Sequence, residues 1–178
     1  VSLSTTQKYL AWYNKTDSLW YTMDLNLRKQ VRHFAGRGIA LYEEEHDVPS
    51  VPGPVGYAGW TQNDSMFVVY DRFDLWGLDP SGKENPENIT SGEGRKTNTR
   101  FRLPPLNPDV PYIGQEDGFL LSSFNETSKE AGFYKTENGN PLPVMLEQGP
   151  YKFTNPIKAR KSDKLLWTKG NFSQFPDL

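Results

Sequence analysis

The sequence predicts an all-β fold, a partial β-propeller made of repeated four-stranded antiparallel blades. Three observations predict it. Aromatic residues are dense, with 5 Trp, 9 Tyr and 10 Phe in 178 residues, and rings favour the pleated, half-buried surface of a strand. Strand–turn–strand patterns built on those rings recur along the chain. Their aromatic markers return at a near-constant interval: Trp20 to Trp76 is 56 residues and Trp76 to Phe133 is 57. Such a period marks one supersecondary unit per repeat.

The first pattern is residues 9–13 (YLAWY), a polar turn at 14–17 (NKTD), and residues 18–24 (SLWYTMD). Turn residues of this kind hydrogen-bond their own backbone and let the chain reverse. Residues 27–34 (LRKQVRHF) are the best helical candidate in the chain, but they also suit the outer strand of this first unit, and that reading is preferred. The second pattern joins 66–72 (MFVVYDR) to 74–79 (DLWGLD), with a turn at 80–83 (PSGK). A further strand fits before it at 56–60 (GYAGW) and another after it at 87–90 (ENIT). The third joins 118–124 (GFLLSSF) to 131–136 (AGFYKT) across the turn 125–129 (NETSK), followed by 141–146 (PLPVML). A fourth opens at 164–168 (KLLWT), with a partner strand that includes Phe175 and Leu178. Four antiparallel strands per repeat is a propeller blade. The blades fall at about 1–54, 55–96 and 97–150, with the start of another at 151–178. The 15 Gly and 14 Pro interrupt nearly every segment, which weakens any helical alternative.

A single blade is small and twisted, with both faces partly apolar. Stacking on neighbouring blades buries those faces. Closing a ring takes at least four blades, and three full periods do not suffice. The chain is therefore expected to be part of a ring, trimmed or processed, beginning at Val1 inside structured sequence and stopping at Leu178 within a strand. An open array would leave raw sheet edges, an invitation to self-association.

Composition removes several function classes. Lys and Arg total 20 against 22 Asp and Glu, for a net charge of −2, which is no electrostatic footprint for nucleic acid or anionic lipid. The chain has no Cys, so disulfides, thiolate catalysis and cysteine metal sites are excluded, while the compartment is left open. No apolar run approaches a membrane span, and no membrane insertion is expected.

Residues able to carry chemistry are few. His46, between Glu43-Glu44-Glu45 and Asp47, matches no defined zinc or calcium spacing and reads as part of a solvated acidic loop. His33 reads as a satisfied strand or turn residue. No Gly-x-Ser-x-Gly and no phosphate-loop ending occur. Gly92 and Gly94 read as supports for a sharp blade-to-blade connection. Neither a catalytic residue nor a metal or other cofactor is expected. Arg95, Lys96, Arg100 and Arg102 form a cationic stretch around Phe101, with Arg95 and Lys96 in loop and Arg100 and Arg102 on a half-buried strand. One of these arginines facing a channel or interface would grip a carboxylate through a bidentate pair. The plainer reading is structural pairing with Glu93 or Asp117. Asp71-Arg72-Phe73-Asp74 reads as a charged turn tied to the next blade. Asn-x-Ser/Thr occurs at Asn14, Asn63, Asn88, Asn125 and Asn171, against about one expected by composition for so short a motif. Glycan attachment in a secreted eukaryotic protein is one reading. Incidental selection of Asn, Ser and Thr by turns is the preferred one.

Residues 57–61 (YAGWT), 69–79 (VYDRFDLWGLD), 88–90 (NIT), 94–96 (GRK), 123–127 (SFNET), 132–134 (GFY) and 175–178 (FPDL) carry a resemblance. From about Lys8 onward the chain resembles the N-terminal propeller of prolyl-oligopeptidase-like serine peptidases, in the form of the Bacteroidetes-like bacterial members. In that family the propeller sits over a C-terminal α/β-hydrolase domain that carries the Ser-Asp-His triad, and no triad residue maps onto any position here. The resemblance implies a non-catalytic propeller portion that gates or positions peptide substrate for that hydrolase domain, in the periplasm or outside the cell. It also implies a role for propeller arginines or glutamates in holding a peptide terminus, for which Arg95, Arg100, Arg102 and Glu126 are candidates. The alternative is a non-enzymatic propeller module that binds a protein or a glycan.

Overall fold

The computed structural model describes residues 1–106, 109–114, 118–137, 140–159, 162 and 164–177. Its fifteen strands form four antiparallel sheets, each a meander of strands consecutive in sequence. The first holds β1 (Ser2–Leu3), β2 (Tyr9–Asn14), β3 (Leu19–Asp24) and β4 (Lys29–Arg32). The second holds β5 (Tyr57–Trp60), β6 (Phe67–Tyr70), β7 (Leu75–Leu78) and β8 (Glu87–Asn88). A short helix, α1 (Glu93–Thr97), leads into the third, made of β9 (Thr99–Arg102), β10 (Leu120–Asn125), β11 (Ala131–Glu137) and β12 (Asn140–Gly149). The fourth has three strands, β13 (Lys152–Lys158), β14 (Leu165–Asn171) and β15 (Gln174–Asp177). These are blade-like units, and the expected all-β repeat is what the chain forms. The stretch 27–34 supplies the strand β4, as preferred.

The hairpin between the second and third strand of every sheet turns on the same device. Asn14, Asp71, Asn125 and Asn171 each accept, through Oδ1, the backbone N–H of the residue two positions on (2.7–3.0 Å). An Asx side chain in this place mimics a backbone turn and fixes where the strand reverses. Asn88 bonds the N–H of Thr90 in the same way at 3.0 Å. Four of the five Asn-x-Ser/Thr asparagines thus bond the amide of their own Ser or Thr, a local reason for the motif to recur.

Successive sheets pack face to face through rings. Trp20 meets Phe67 edge-on at 5.5 Å, and Tyr9 stacks on Trp60 at 6.3 Å. With Ala11, Phe34, Leu41, Val69 and Leu78 they form one buried cluster. Val68, Tyr70 and Leu75 face the other way, onto Phe101 and Leu121 of the third sheet and Phe119 just before β10. That double duty explains why all of β6 is buried: a strand covered on both faces carries an unbroken apolar run rather than an alternating one. The third interface sets Phe133 against Phe153 at 5.8 Å and Trp167 at 5.1 Å. Each fully buried ring or branched chain contributes about 2 kcal/mol relative to its exposed state.

One expectation needs correction, the placement of Arg95 and Lys96, and the aromatic markers do not occupy equivalent faces. Trp20 and Phe133 face the following sheet, whereas Trp76 turns back onto Phe34 at 5.4 Å; the inward-facing residue of the second hairpin on the forward side is Leu75. The spacing follows the repeat, but the faces are set by strand alternation from the Asx turn. Arg95 and Lys96 lie in α1 rather than in loop. The buried Asp74 accepts the amides of Gly94 (2.9 Å) and Arg95 (3.1 Å) and so holds that helical turn. A Cβ at Gly94 would lie 2.7 Å from the Asp74 carboxylate and 2.8 Å from the Thr99 carbonyl, so only glycine fits this connection.

Candidate functional site

The charged residues singled out in the sequence gather along one seam between the second and third sheets. The turn after β6 presents Arg72, whose guanidinium bonds Glu126 Oε2 at 2.6 Å and Glu45 Oε1 at 2.5 Å. Arg100, on β9, reaches the other oxygen of Glu126 at 3.4 Å. Glu126 follows the Asx turn of the third sheet, so one carboxylate receives cations from two neighbouring sheets. The turn 71–74 is thereby tied to the next sheet, as its charges suggested. The bond to Glu126 holds the Arg72 guanidinium above the ordinary arginine range.

Arg95 leaves α1 in another direction. Its guanidinium forms a two-point contact with Glu44 (2.6 and 3.3 Å) and lies 4.0 Å from Asp71. The Glu44 bond raises its pKa, ahead of an opposing effect of burial. Arg72 and Arg95 both lie over the ring of Phe73, at 5.0 and 5.2 Å. Arg102 is different: its donors go to backbone carbonyls of Phe101 (2.6 Å), Arg72 (3.0 Å) and Asp71 (3.3 Å), and its plane covers Tyr70 at 4.6 Å. Burial lowers its pKa from the usual arginine value. The partners considered from sequence are not the ones used. Glu93 pairs with Lys96 at 3.0 Å, and Asp117 lies outside the described residues.

Beneath the seam, Asp71 takes the amides of Phe73 and Asp74 (both 2.7 Å) and the indole N–H of Trp76 (2.9 Å). Burial raises the pKa of Asp74, against the bonds from Thr90, Arg95 and Gly94. Chemically the seam is a set of matched charges and satisfied carbonyls. It locks two sheets in register, and its arginines grip carboxylates of this chain.

A second feature has the shape of a ligand site. A cavity of about 940 Å³ opens between β5, the segment that follows β9, and strands of the third and fourth sheets. Its wall is mostly apolar, including Trp60, Leu103, Ile113 and Phe119, and its charged lining residues are Lys135 and Lys158. The segment after β9 forms one side and is pinned to the second sheet: Ile113 donates to the Trp60 carbonyl at 2.8 Å and accepts from Gln62 at 3.2 Å. Pro104, Pro105 and Pro111 stiffen this segment. Sequence reading passed over it. The signal available was that proline cluster between two strands of one sheet.

The histidines lie apart from both features. His33 is 3% exposed and its Nε2 is 2.8 Å from Thr22 Oγ1, whose hydroxyl donates to the Pro80 carbonyl at 2.9 Å. The imidazole Nε2–H then donates to Thr22, and burial lowers the His33 pKa to about 4. His46 is exposed and bonds Ser50 at 3.0 Å. Among the described residues no group of three or more His, Asp or Glu is arranged to hold a metal ion. No helix among them is long and apolar enough to cross a membrane. Compared with protein-family models, with curated proteins and with solved structures, the chain has no match.

Proposed function

We propose that this chain is a non-catalytic propeller portion of a prolyl-oligopeptidase-like serine peptidase that gates or positions peptide for a separate α/β-hydrolase domain, in the periplasm or outside the cell. The observation that carries the proposal is the cavity lined by residues of three successive sheets. Its volume of about 940 Å³ suits a short peptide. Its apolar wall takes side chains, and the Lys135 ammonium offers a carboxylate an opposite charge. The seam arginines serve the same function indirectly, by holding the sheets that shape the cavity. Chemistry by a serine nucleophile, a base and an oxyanion hole belongs to the hydrolase domain.

Two measurements test this reading. Calorimetric titration with short apolar peptides should give saturable binding, weakened about tenfold by Leu106→Asp in the cavity wall, since losing one buried apolar contact removes on the order of 1.5 kcal/mol or more. Oligosaccharides that bind in place of peptides would favour a glycan-binding module, and no peptide binding at all would remove the proposal. The chain alone should leave peptide p-nitroanilides uncleaved. Turnover by pure protein that a serine-directed inhibitor abolishes would overturn its non-catalytic role.

A further inference from the structure

The third and fourth sheets are packed by rings at one end only. There Phe133 on β11 meets Phe153 and Trp167, and beside them Lys169 bonds Glu147 at 2.6 Å. The cavity lies at the other end, and register fixes what lines it. Phe133 and Lys135 are two residues apart on β11, and they pair in step with Ser122 and Leu120 of β10. Lys135 and Leu120 therefore share the face of Phe133, which looks to the fourth sheet. On β14, Leu165 is two residues before Trp167 and shares the face that looks back. Lys158 on β13 pairs directly with Leu165 and joins it on that side. All four residues line the cavity. Two lysines thus stand on facing walls, one from each sheet.

Nothing acidic answers them. Among the described residues, no Asp or Glu lines the cavity. The same interface gives Lys169 the carboxylate of Glu147, whereas the Lys135 ammonium has no hydrogen bond or ion pair among the described residues. Lys135 is half-buried and Lys158 exposed. A partly desolvated ammonium between apolar walls attracts an anion more strongly than one in open water does, so Lys135 carries the larger share.

We infer that the cavity selects a peptide by its free C-terminal carboxylate, with Lys135 as the residue that determines this preference. Leu103, Leu106, Ile113 and Leu146 of the wall take the side chains next to that terminus. The inference rests on the reading of the cavity as a peptide site and adds a direction to it: the carboxyl end lies between the third and fourth sheets, and the rest of the peptide runs towards β5. A free aliphatic acid offers the same chemistry, an apolar body ending in a carboxylate. The peptide is favoured because Gln62 and Tyr112 add polar groups to the wall, which a peptide backbone can hydrogen-bond and an alkyl chain cannot.

The test is calorimetric titration of the full chain with one short apolar peptide, as the free acid and as its C-terminal amide. The acid should bind about tenfold tighter, the yield of one partly buried charge pair. Lys135→Met should remove that difference by bringing the acid down to the amide, and Lys135→Arg, which keeps the charge, should retain it. Octanoate, the probe for an aliphatic acid, should bind more weakly than the peptide acid. Equal binding of acid and amide by the native chain overturns the inference and leaves the peptide reading standing. So does a preference that survives Lys135→Met. Failure of both peptide forms to bind overturns the peptide reading together with the inference. Octanoate that binds more tightly than the peptide acid overturns the assignment to peptide.

Discussion

At the scale of single residues, the structure uses buried polar groups as fixed parts, and each has a measurable cost of removal. His33 folds neutral, its pKa lowered by burial to about 4 from the ordinary imidazole value of 6.5. Between those values the unfolded chain binds the extra proton, so stability is full above pH 6.5 and falls as the pH drops towards 4. The whole shift corresponds to about 3 kcal/mol. Urea midpoints at pH 7 and pH 4.5 should show this loss, and His33→Gln should flatten it while lowering stability at pH 7. Gly94 is a second test: with Asp74 and two backbone carbonyls where a Cβ would sit, Gly94→Ala should cost about 2 kcal/mol through strain. The role of His33 as a bonded, buried group is legible in sequence from its position at the end of a strand. The role of Asp74 is not, because the amides it accepts lie twenty positions away.

At the scale of elements, the hairpins are the legible part. Rings flanking an Asn- or Asp-led turn identify both strands and the point of reversal, and the structure places an Asx bond at each of those four turns. Short, locally held elements are harder to read. Helix α1 has five residues between two left-handed positions, Gly92 and Asn98, so its sequence looks like a turn and only the cap from Asp74 makes it helical. The turns themselves differ in weight. Asn125 also donates to Thr97 and Thr99 across the entrance to β9, whereas Asn14 is half-buried and its bond to the Thr16 amide is exposed. Thermal or urea unfolding should therefore show a loss of about 2 kcal/mol for Asn125→Ala and about 0.5 kcal/mol for Asn14→Ala. The seam gives an element-scale coupling as well. A double-mutant cycle on Arg72 and Glu126, both partly exposed, should yield about 1 kcal/mol, reduced by added salt. The cavity was not legible, because its wall comes from separate stretches that only the stacking of three sheets brings together.

At the scale of the molecule, each sheet touches its neighbours in the series, so stability should be distributed in the manner of a repeat protein. Phe133, 2% exposed, is the ring that meets both Phe153 and Trp167. Phe133→Ala should cost about 3 kcal/mol or more, with amide exchange speeding up in the fourth sheet while the first and second keep their protection. A uniform loss across all four sheets would instead mark one indivisible cooperative unit. The aromatic density made the stacking expected, but which ring faces which neighbour followed from register, and Trp76 shows that a regular interval does not settle it. The strand order has one more consequence. Every sheet is a meander of consecutive strands, so none waits for a partner from a distant part of the chain. Short-range closures are entropically cheap and fast. On the ribosome, the hydrogen bonds of the first sheet can all form before the second sheet has been synthesised, and each later sheet adds to a surface already in place.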